Sequence, residues 1–94
     1  MNNVITLTNL KDMQTLAVTG SGGEVKLRRT LKNRTGLLAA EIVLCYLPFN
    51  PVTPYCTWQM NVADGSTYWG HYFRPDEADE AIADFEERTK KGMV

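Results

Sequence analysis

The clearest alternation of apolar and polar side chains lies in segments 55–62 and 67–73, and it predicts two β-strands. Asp64-Gly65 lies between them, and this residue pair tolerates the positive φ angles that tight hairpin turns require. A loop of two or four residues would place the large apolar side chains of both strands on one face. The predicted facing pairs are Val62 with Thr67, Met60 with Trp69, Trp58 with His71, and Cys56 with Phe73. The opposite face would carry Tyr68 and Tyr72.

The segment from Pro75 to Gly92 predicts an amphipathic helix. Proline suits the first helical turn, acidic residues lie near the positive amino end, and basic residues lie near the negative carboxyl end. An apolar stripe recurs at helical spacing and would pack on the face that carries Trp58 and Trp69. The stripe consists of Ala78, Ala81, Ile82 and Phe85.

Two further strands are predicted before this hairpin, over 24–34 and 37–47. In the first, Val25, Leu27 and Leu31 fall on one side, and the other side is mostly basic. The second is rich in Leu and Ala, so a buried helix is the alternative. The pair Ile42-Val43 and the neighbouring strand favour a strand, reached through a turn at 33–36.

The amino-terminal part predicts smaller elements. Residues 1–3 are expected to be a loose end, and 4–7 favour a strand because β-branched residues cluster there. A short helix near 9–18 follows, capped by Asn9, and a glycine-rich turn at 20–23 ends it. Three prolines within 48–54 predict a loop, since proline lacks the amide hydrogen that a strand ladder needs.

Composition indicates one globular domain of 94 residues, with 44% hydrophobic and 22% charged residues. No apolar run reaches the roughly 20 residues of a membrane helix, and the first residues do not resemble a signal peptide. Cys45 and Cys56 have no metal-site spacing, which favours buried free thiols in a bacterial cytoplasm over a disulfide. The net charge is −1, but residues 1–47 carry +3 and residues 48–94 carry −4. Two surfaces of opposite sign are therefore expected.

Catalytic and metal-binding interpretations of the sequence are both weak. A Cys56–His71 pair is conceivable, because thiolate formation needs a nearby cation, but a histidine that simply packs in the core is the commoner arrangement. Asp64, Asp76, Glu77 and Asp79 could be taken for a metal cluster. Asp64 fits a turn and the other three fit a helix amino terminus, so no metal, cofactor or catalytic residue is expected.

Two charged surfaces are the stronger candidates for binding. One is a basic strand that could contact phosphates, where the commoner role is a solvated strand face. It contains Lys26, Arg28, Arg29, Lys32 and Arg34. The other is the acidic side of the predicted helix, which could occupy a basic groove in competition with nucleic acid. It contains Asp76, Glu77, Asp79, Glu80, Asp84, Glu86 and Glu87.

The last 40 or so residues resemble small accessory proteins of phages and plasmids of proteobacteria. The resemblance lies in the pattern Tyr55-x-Thr57-Trp58, then Gly65-x-x-Tyr68-Trp69-Gly70-His71-Tyr72-Phe73, Glu77-Ala78 and Asp84-Phe85-Glu86-x-Arg88. Several one-domain α+β proteins of this kind are anti-CRISPR or other anti-defence inhibitors. The resemblance implies a protein that binds a host effector complex and blocks its nucleic-acid path.

The sequence thus predicts an α+β domain with a three- to four-stranded antiparallel sheet, covered on one face by the carboxy-terminal helix, and a small amino-terminal helix or strand. The predicted core is Leu27, Ile42, Leu44, Trp58, Met60, Trp69, Phe73, Ile82 and Phe85. The expected function is non-enzymatic inhibition of a host nucleic-acid-targeting defence complex through the acidic helix, with Tyr68 or Tyr72 as interface anchors. The alternative is a nucleic-acid-binding or regulatory protein that uses the basic strand at 26–34.

Overall fold

A computed structural model describes residues 10–32 and 38–92. Within them, five strands form one antiparallel sheet in which the order of the strands is their order along the chain. A carboxy-terminal helix follows the last strand. The bounds are β1 Ala17–Val18, β2 Glu24–Lys32, β3 Leu38–Tyr46, β4 Tyr55–Asn61, β5 Thr67–Phe73 and α1 Ala78–Gly92. The α+β class is confirmed, and the sheet has five strands rather than three or four.

The additional strand, β1, lies where the sequence predicted a short helix. Only one 3-10 turn, Leu10–Asp12, forms in that region, so the helix predicted over 9–18 is wrong. Gly22 has a φ of 95° in the predicted glycine turn, and this turn sends the chain back so that Ala17 pairs with Val25. Pairing with β2 therefore outweighs a weak helical periodicity. The predictions for 1–3, 4–7 and 33–36 lie outside the described residues.

The strand predicted over 24–34 is confirmed as β2, but its side chains do not alternate as predicted. A register shift between Val25 and Leu27 places these two residues in different core clusters. Lys26, between them, is only 4% exposed. The predicted basic face that included Lys26 is therefore wrong, because an irregularity in the ladder changes which side a residue faces.

The segment 37–47 is a strand, β3, and not the alternative helix. It lies in the middle of the sheet and is apolar on both sides. Ile42 and Leu44 contribute to one core cluster, and Val43 and Cys45 contribute to the other. Burial on both faces explains why the strand is almost continuously apolar instead of alternating.

The hairpin of β4 and β5 is confirmed, but its predicted register is wrong. Met60 pairs with Thr67, Thr57 with His71, and Tyr55 with Phe73. The pairing changes by one residue at a bulge, since Thr57 pairs with His71 whereas Gln59 pairs with Tyr68. Trp69 and Gly70 thus lie together opposite the single residue Trp58.

The bulge has a direct steric cause at Gly70. A β-carbon on Gly70 would lie only 2.5 Å from Nε1 of Trp58, so the indole ring packs against bare backbone. The preceding residue, Trp69, has a φ of 54°. This is a left-handed backbone conformation that residues other than glycine rarely adopt. Trp69 is 70% exposed, and its predicted place in the core is wrong.

The sheet separates two hydrophobic clusters. The first lies between the sheet and α1, and its buried members are Leu10, Ile42, Leu44, Tyr55, Ala78, Ala81 and Phe85. The second lies on the other face, and its buried members are Val25, Val43, Cys45, Leu47, Cys56, Trp58 and Met60. The prediction that α1 packs on the Trp58 face is therefore wrong, because the register places Trp58 in the second cluster.

The second cluster is closed by the turn between β1 and β2, which curls over the sheet. The backbone N–H of Gly20 donates to the carbonyl oxygen of Gly65 at 3.1 Å, so this turn meets the β4–β5 turn. A β-carbon on Gly23 would lie 3.0 Å from both Leu47 and Trp58. This close approach shields one side of the second cluster from solvent without a second helix.

The remaining fold predictions are confirmed in large part. The helix forms as predicted, with Ala78, Ala81 and Phe85 buried and Ile82 half-buried. The proline-rich segment is a loop, which is closed by a hydrogen bond from the N–H of Leu47 to the carbonyl oxygen of Pro54 at 2.7 Å. Both cysteines are buried free thiols on paired positions of β3 and β4. Within 10–32 and 38–92, no helix has both the length and the apolar character needed to cross a membrane.

Candidate functional site

The outer face of α1 and the 3-10 turn before it, Pro75–Glu77, concentrate negative charge. Between Pro75 and Glu87 the chain has seven carboxylates and no basic residue. Five of them are exposed: Asp76, Asp79, Glu80, Glu86 and Glu87. We call these five the acidic face. The helix folds this way because its apolar residues recur every three or four positions and are buried against the sheet, which leaves the acidic positions outside.

The start of the helix uses part of this charge locally. Arg74 donates its backbone N–H to Oε1 of Glu77 at 2.8 Å, the reciprocal half of a capping box. Its guanidinium lies 3.6 Å from Asp76 and 3.7 Å from Glu77, at exposed positions where such pairs contribute little. Glu87 lies 3.4 Å from Lys91. By contrast, Asp79, Glu80 and Glu86 form no ion pair with any residue of the described part of the chain.

Asp84 belongs to the predicted acidic set, but its carboxylate forms hydrogen bonds inside the protein. Its carboxylate accepts a hydrogen bond from the hydroxyl of Thr57 and lies 2.9 Å from Nδ1 of His71. One turn later, Arg88 donates to the carbonyl and hydroxyl oxygens of Thr57, both at 3.0 Å. Thr57 is fully buried. This network fastens α1 to β4 and β5, which is a positioning role that the sequence did not reveal.

The network does not resemble a nucleophile with its base. The hydroxyl of Thr57 donates to the carboxylate of Asp84, but Thr57 is fully buried, so a substrate has no access to this hydroxyl. The Cys56–His71 pair considered from the sequence does not form, since Cys56 lies in the cluster opposite α1 and His71 contacts α1. Burial, and then the neighbouring Cys45, raise the pKa of Cys56 and disfavour its thiolate.

The two tyrosines predicted as anchors lie on opposite faces of β5, not on one. Tyr72 packs edge-on against Trp58, with ring centroids 6.2 Å apart, and its hydroxyl lies 3.3 Å from the indole nitrogen. Tyr68 instead pairs with Gln59, on the side of α1. Its ring centroid lies 6.1 Å from that of Trp69. Tyr68 and Trp69 are therefore neighbours on the outer edge, and sequence reasoning missed Trp69 because it placed this residue in the core.

The basic strand is less available than the sequence suggested. The ammonium group of Lys26 donates to the carbonyl oxygen of Met13 at 2.7 Å and to the hydroxyl of Thr15 at 2.8 Å. Arg28 is exposed but its guanidinium lies 2.7 Å from Glu41. Arg29 lies over the ring of Phe85 at 5.8 Å. Arg34 and the side chain of Lys32 lie outside the described part of the structure.

The predicted metal-binding interpretation gains no geometric support. Residues 10–32 and 38–92 contain no group of three acidic, histidine or cysteine side chains arranged to hold a metal ion. Asp64 instead accepts hydrogen bonds from the N–H of Ser66 at 2.9 Å and from its hydroxyl at 2.7 Å. These bonds lower the pKa of Asp64 and fix the turn before β5.

Comparison with known proteins finds no family model, no curated protein and no solved structure that matches this chain.

Proposed function

We propose that this protein is a non-enzymatic binding protein of a mobile element that inhibits a host nucleic-acid-targeting defence complex. The acidic face of α1 would occupy the basic groove that otherwise receives nucleic acid. The observation that supports this proposal is the run of seven carboxylates without a basic residue, five of them exposed on one helix surface. Such a surface attracts a basic groove and repels nucleic acid.

The charge spacing of this surface is comparable to that of a nucleic acid strand. From Asp76 to Glu87 the helix rises by about 16 Å, at about 1.5 Å per residue. Five exposed carboxylates span four intervals over that length, on average about 4 Å each, which is comparable to the roughly 3.4 Å per phosphate along one strand of DNA. A groove built to neutralise phosphates therefore meets a similar density of negative charge on α1.

The alternative, nucleic-acid binding by β2, has weaker support. Of the four basic residues of β2, Lys26 is buried and Arg28 is paired with Glu41. A phosphate backbone would have to compete with that carboxylate for Arg28. With Lys26 and Arg28 less available to phosphates, β2 would gain less of the electrostatic attraction that dominates the binding of nucleic acid.

The test is capture of a partner from lysate of a bacterial host, with and without nuclease, by matched variants. Asp79→Asn with Glu80→Gln removes two negative charges from the acidic face. The control, Gln14→Lys with Thr30→Lys, changes the net charge by the same amount at exposed positions away from α1. We expect the helix variant to lose at least about tenfold in affinity for a nuclease-resistant protein partner, because two charge-assisted contacts are worth about 1.4 kcal/mol or more together. The control should bind like the wild type.

Two results would contradict the proposal. Equal capture by the helix variant and the wild type would show that the acidic face does not make the contact. Loss of all captured protein after nuclease treatment, with nucleic acid recovered, would favour the basic strand instead.

A further inference from the structure

The outer edge of the sheet carries an exposed aromatic pair, Tyr68 and Trp69. Trp69 is 70% exposed and Tyr68 is 43% exposed, and their ring centroids lie 6.1 Å apart at an angle of 51°. We call this pair the aromatic shelf. Large aromatic side chains exposed side by side on a protein surface commonly mark an interaction site.

The left-handed conformation of Trp69 is what brings the two rings together. Successive side chains of a regular strand point to opposite faces, so Tyr68 and Trp69 would normally be separated by the sheet. The bulge at Trp69 breaks that alternation. A left-handed conformation costs a residue with a β-carbon about 1–2 kcal/mol, and such strain is concentrated at functional sites.

Tyr68 is also held in place by hydrogen bonds. Its hydroxyl lies 2.9 Å from the hydroxyl of Ser66, which in turn donates to Asp64. This chain of contacts fixes one ring of the shelf and keeps an ionised carboxylate in the adjoining turn. Tyr68 is thus held in place before a partner arrives, which reduces the entropy that this ring loses on binding.

We propose that the aromatic shelf binds an arginine side chain of the partner, and this inference rests on the proposed function. The π faces of Trp69 and Tyr68 attract a guanidinium group. The carboxylate of Asp64, which Ser66 links to the hydroxyl of Tyr68, favours a cation beside them. A groove that binds nucleic acid presents such arginines. Stacked nucleic acid bases would fit the rings, but their phosphates would meet the carboxylate of Asp64.

The experiment uses two synthetic ten-residue peptides that differ at one position, arginine in one and the neutral, nearly isosteric citrulline in the other. Binding is followed by the indole N–H resonance of Trp69 in NMR titrations of the whole protein. We expect the arginine peptide to shift this resonance in a saturable way and the citrulline peptide to bind at least about fivefold more weakly, since a cation–π contact is worth about 1 kcal/mol. Equal binding of the two peptides would overturn the inference.

A matched variant separates the shelf from general charge attraction. Trp69→Leu keeps an apolar side chain of similar exposure but removes the π face, and its fold is checked by circular dichroism. Loss of the preference for arginine over citrulline in this variant supports the shelf, and an unchanged preference contradicts it. A single-stranded oligonucleotide that shifts Trp69 more strongly than the arginine peptide would assign the shelf to base stacking.

The same variant distinguishes this inference from the proposed function. If Trp69→Leu captures the protein partner as well as the wild type while Asp79→Asn with Glu80→Gln does not, the shelf inference fails and the acidic face stands. If the helix variant captures the partner normally, the proposed function fails whatever the peptides show.

Discussion

The strain at Trp69 can be measured by replacing it with alanine and with glycine. Both variants delete the indole ring and its remaining contacts, so the difference between them depends on the β-carbon alone. Alanine retains the cost of about 1–2 kcal/mol for a left-handed conformation. Glycine avoids that cost but loses about 0.4–1 kcal/mol through the greater freedom of the unfolded chain. We therefore expect Trp69→Gly to be more stable than Trp69→Ala by about 0.5–1 kcal/mol.

The assay is thermal and urea unfolding of both variants, with a matched pair on the same strand as the control. A difference of 0.5–1 kcal/mol corresponds to roughly 2–8 °C in Tm for a domain of this size. Tyr72 lies on β5 without a positive φ, so Tyr72→Gly should be less stable than Tyr72→Ala by about 0.5–1 kcal/mol. The sign must reverse between the two positions. If glycine is the weaker residue at both, the bulge does not strain Trp69.

Two further predictions concern buried polar chemistry. Lys26→Met keeps the length of the side chain but removes the donor to the carbonyl of Met13. The free energy of unfolding should therefore fall by about 1–3 kcal/mol in urea titrations. An unchanged midpoint would show that water replaces the ammonium group. Burial raises the pKa of Cys45 from its ordinary 9.0 to about 12, so between these pH values the unfolded chain binds fewer protons and stability should fall as pH rises. Cys45→Ala should reduce this alkaline slope in unfolding experiments at pH 8 to 11, and Cys56, whose pKa burial also raises, should retain part of it. An identical slope in the variant would exclude Cys45 as a cause.

The sequence predicts β4, β5 and α1 well because their signals are local. Alternation over seven residues and an apolar stripe at helical spacing need no knowledge of distant contacts. The register of the β4–β5 hairpin cannot be predicted from local signals in this way, since it depends on the packing of Trp58 against Gly70. That contact forms only after the strands meet, and no local pattern of apolar residues reports it.

Two residues of the candidate surfaces also have contacts that the local sequence does not predict. Lys26 lies in a basic run that predicts exposure, yet its amine is satisfied by Met13, which is 13 positions away in the chain. Asp84 lies among the carboxylates of α1 and is engaged by Thr57, 27 positions away. The acidic face itself was predictable, because helical spacing alone decides which carboxylates point outward. Which of them remain available depends on the sheet beneath.

The order of the strands has a consequence for synthesis of the chain. Each strand pairs with the one before it, so every hairpin can close as soon as its second strand has been made. The hydrophobic cluster around Leu44 cannot form completely at that stage, because Phe85, near the carboxyl end of the chain, covers it. A growing chain would therefore present an apolar sheet surface to solvent until translation reaches α1, and a chain that stopped before Phe85 would keep that surface open to aggregation.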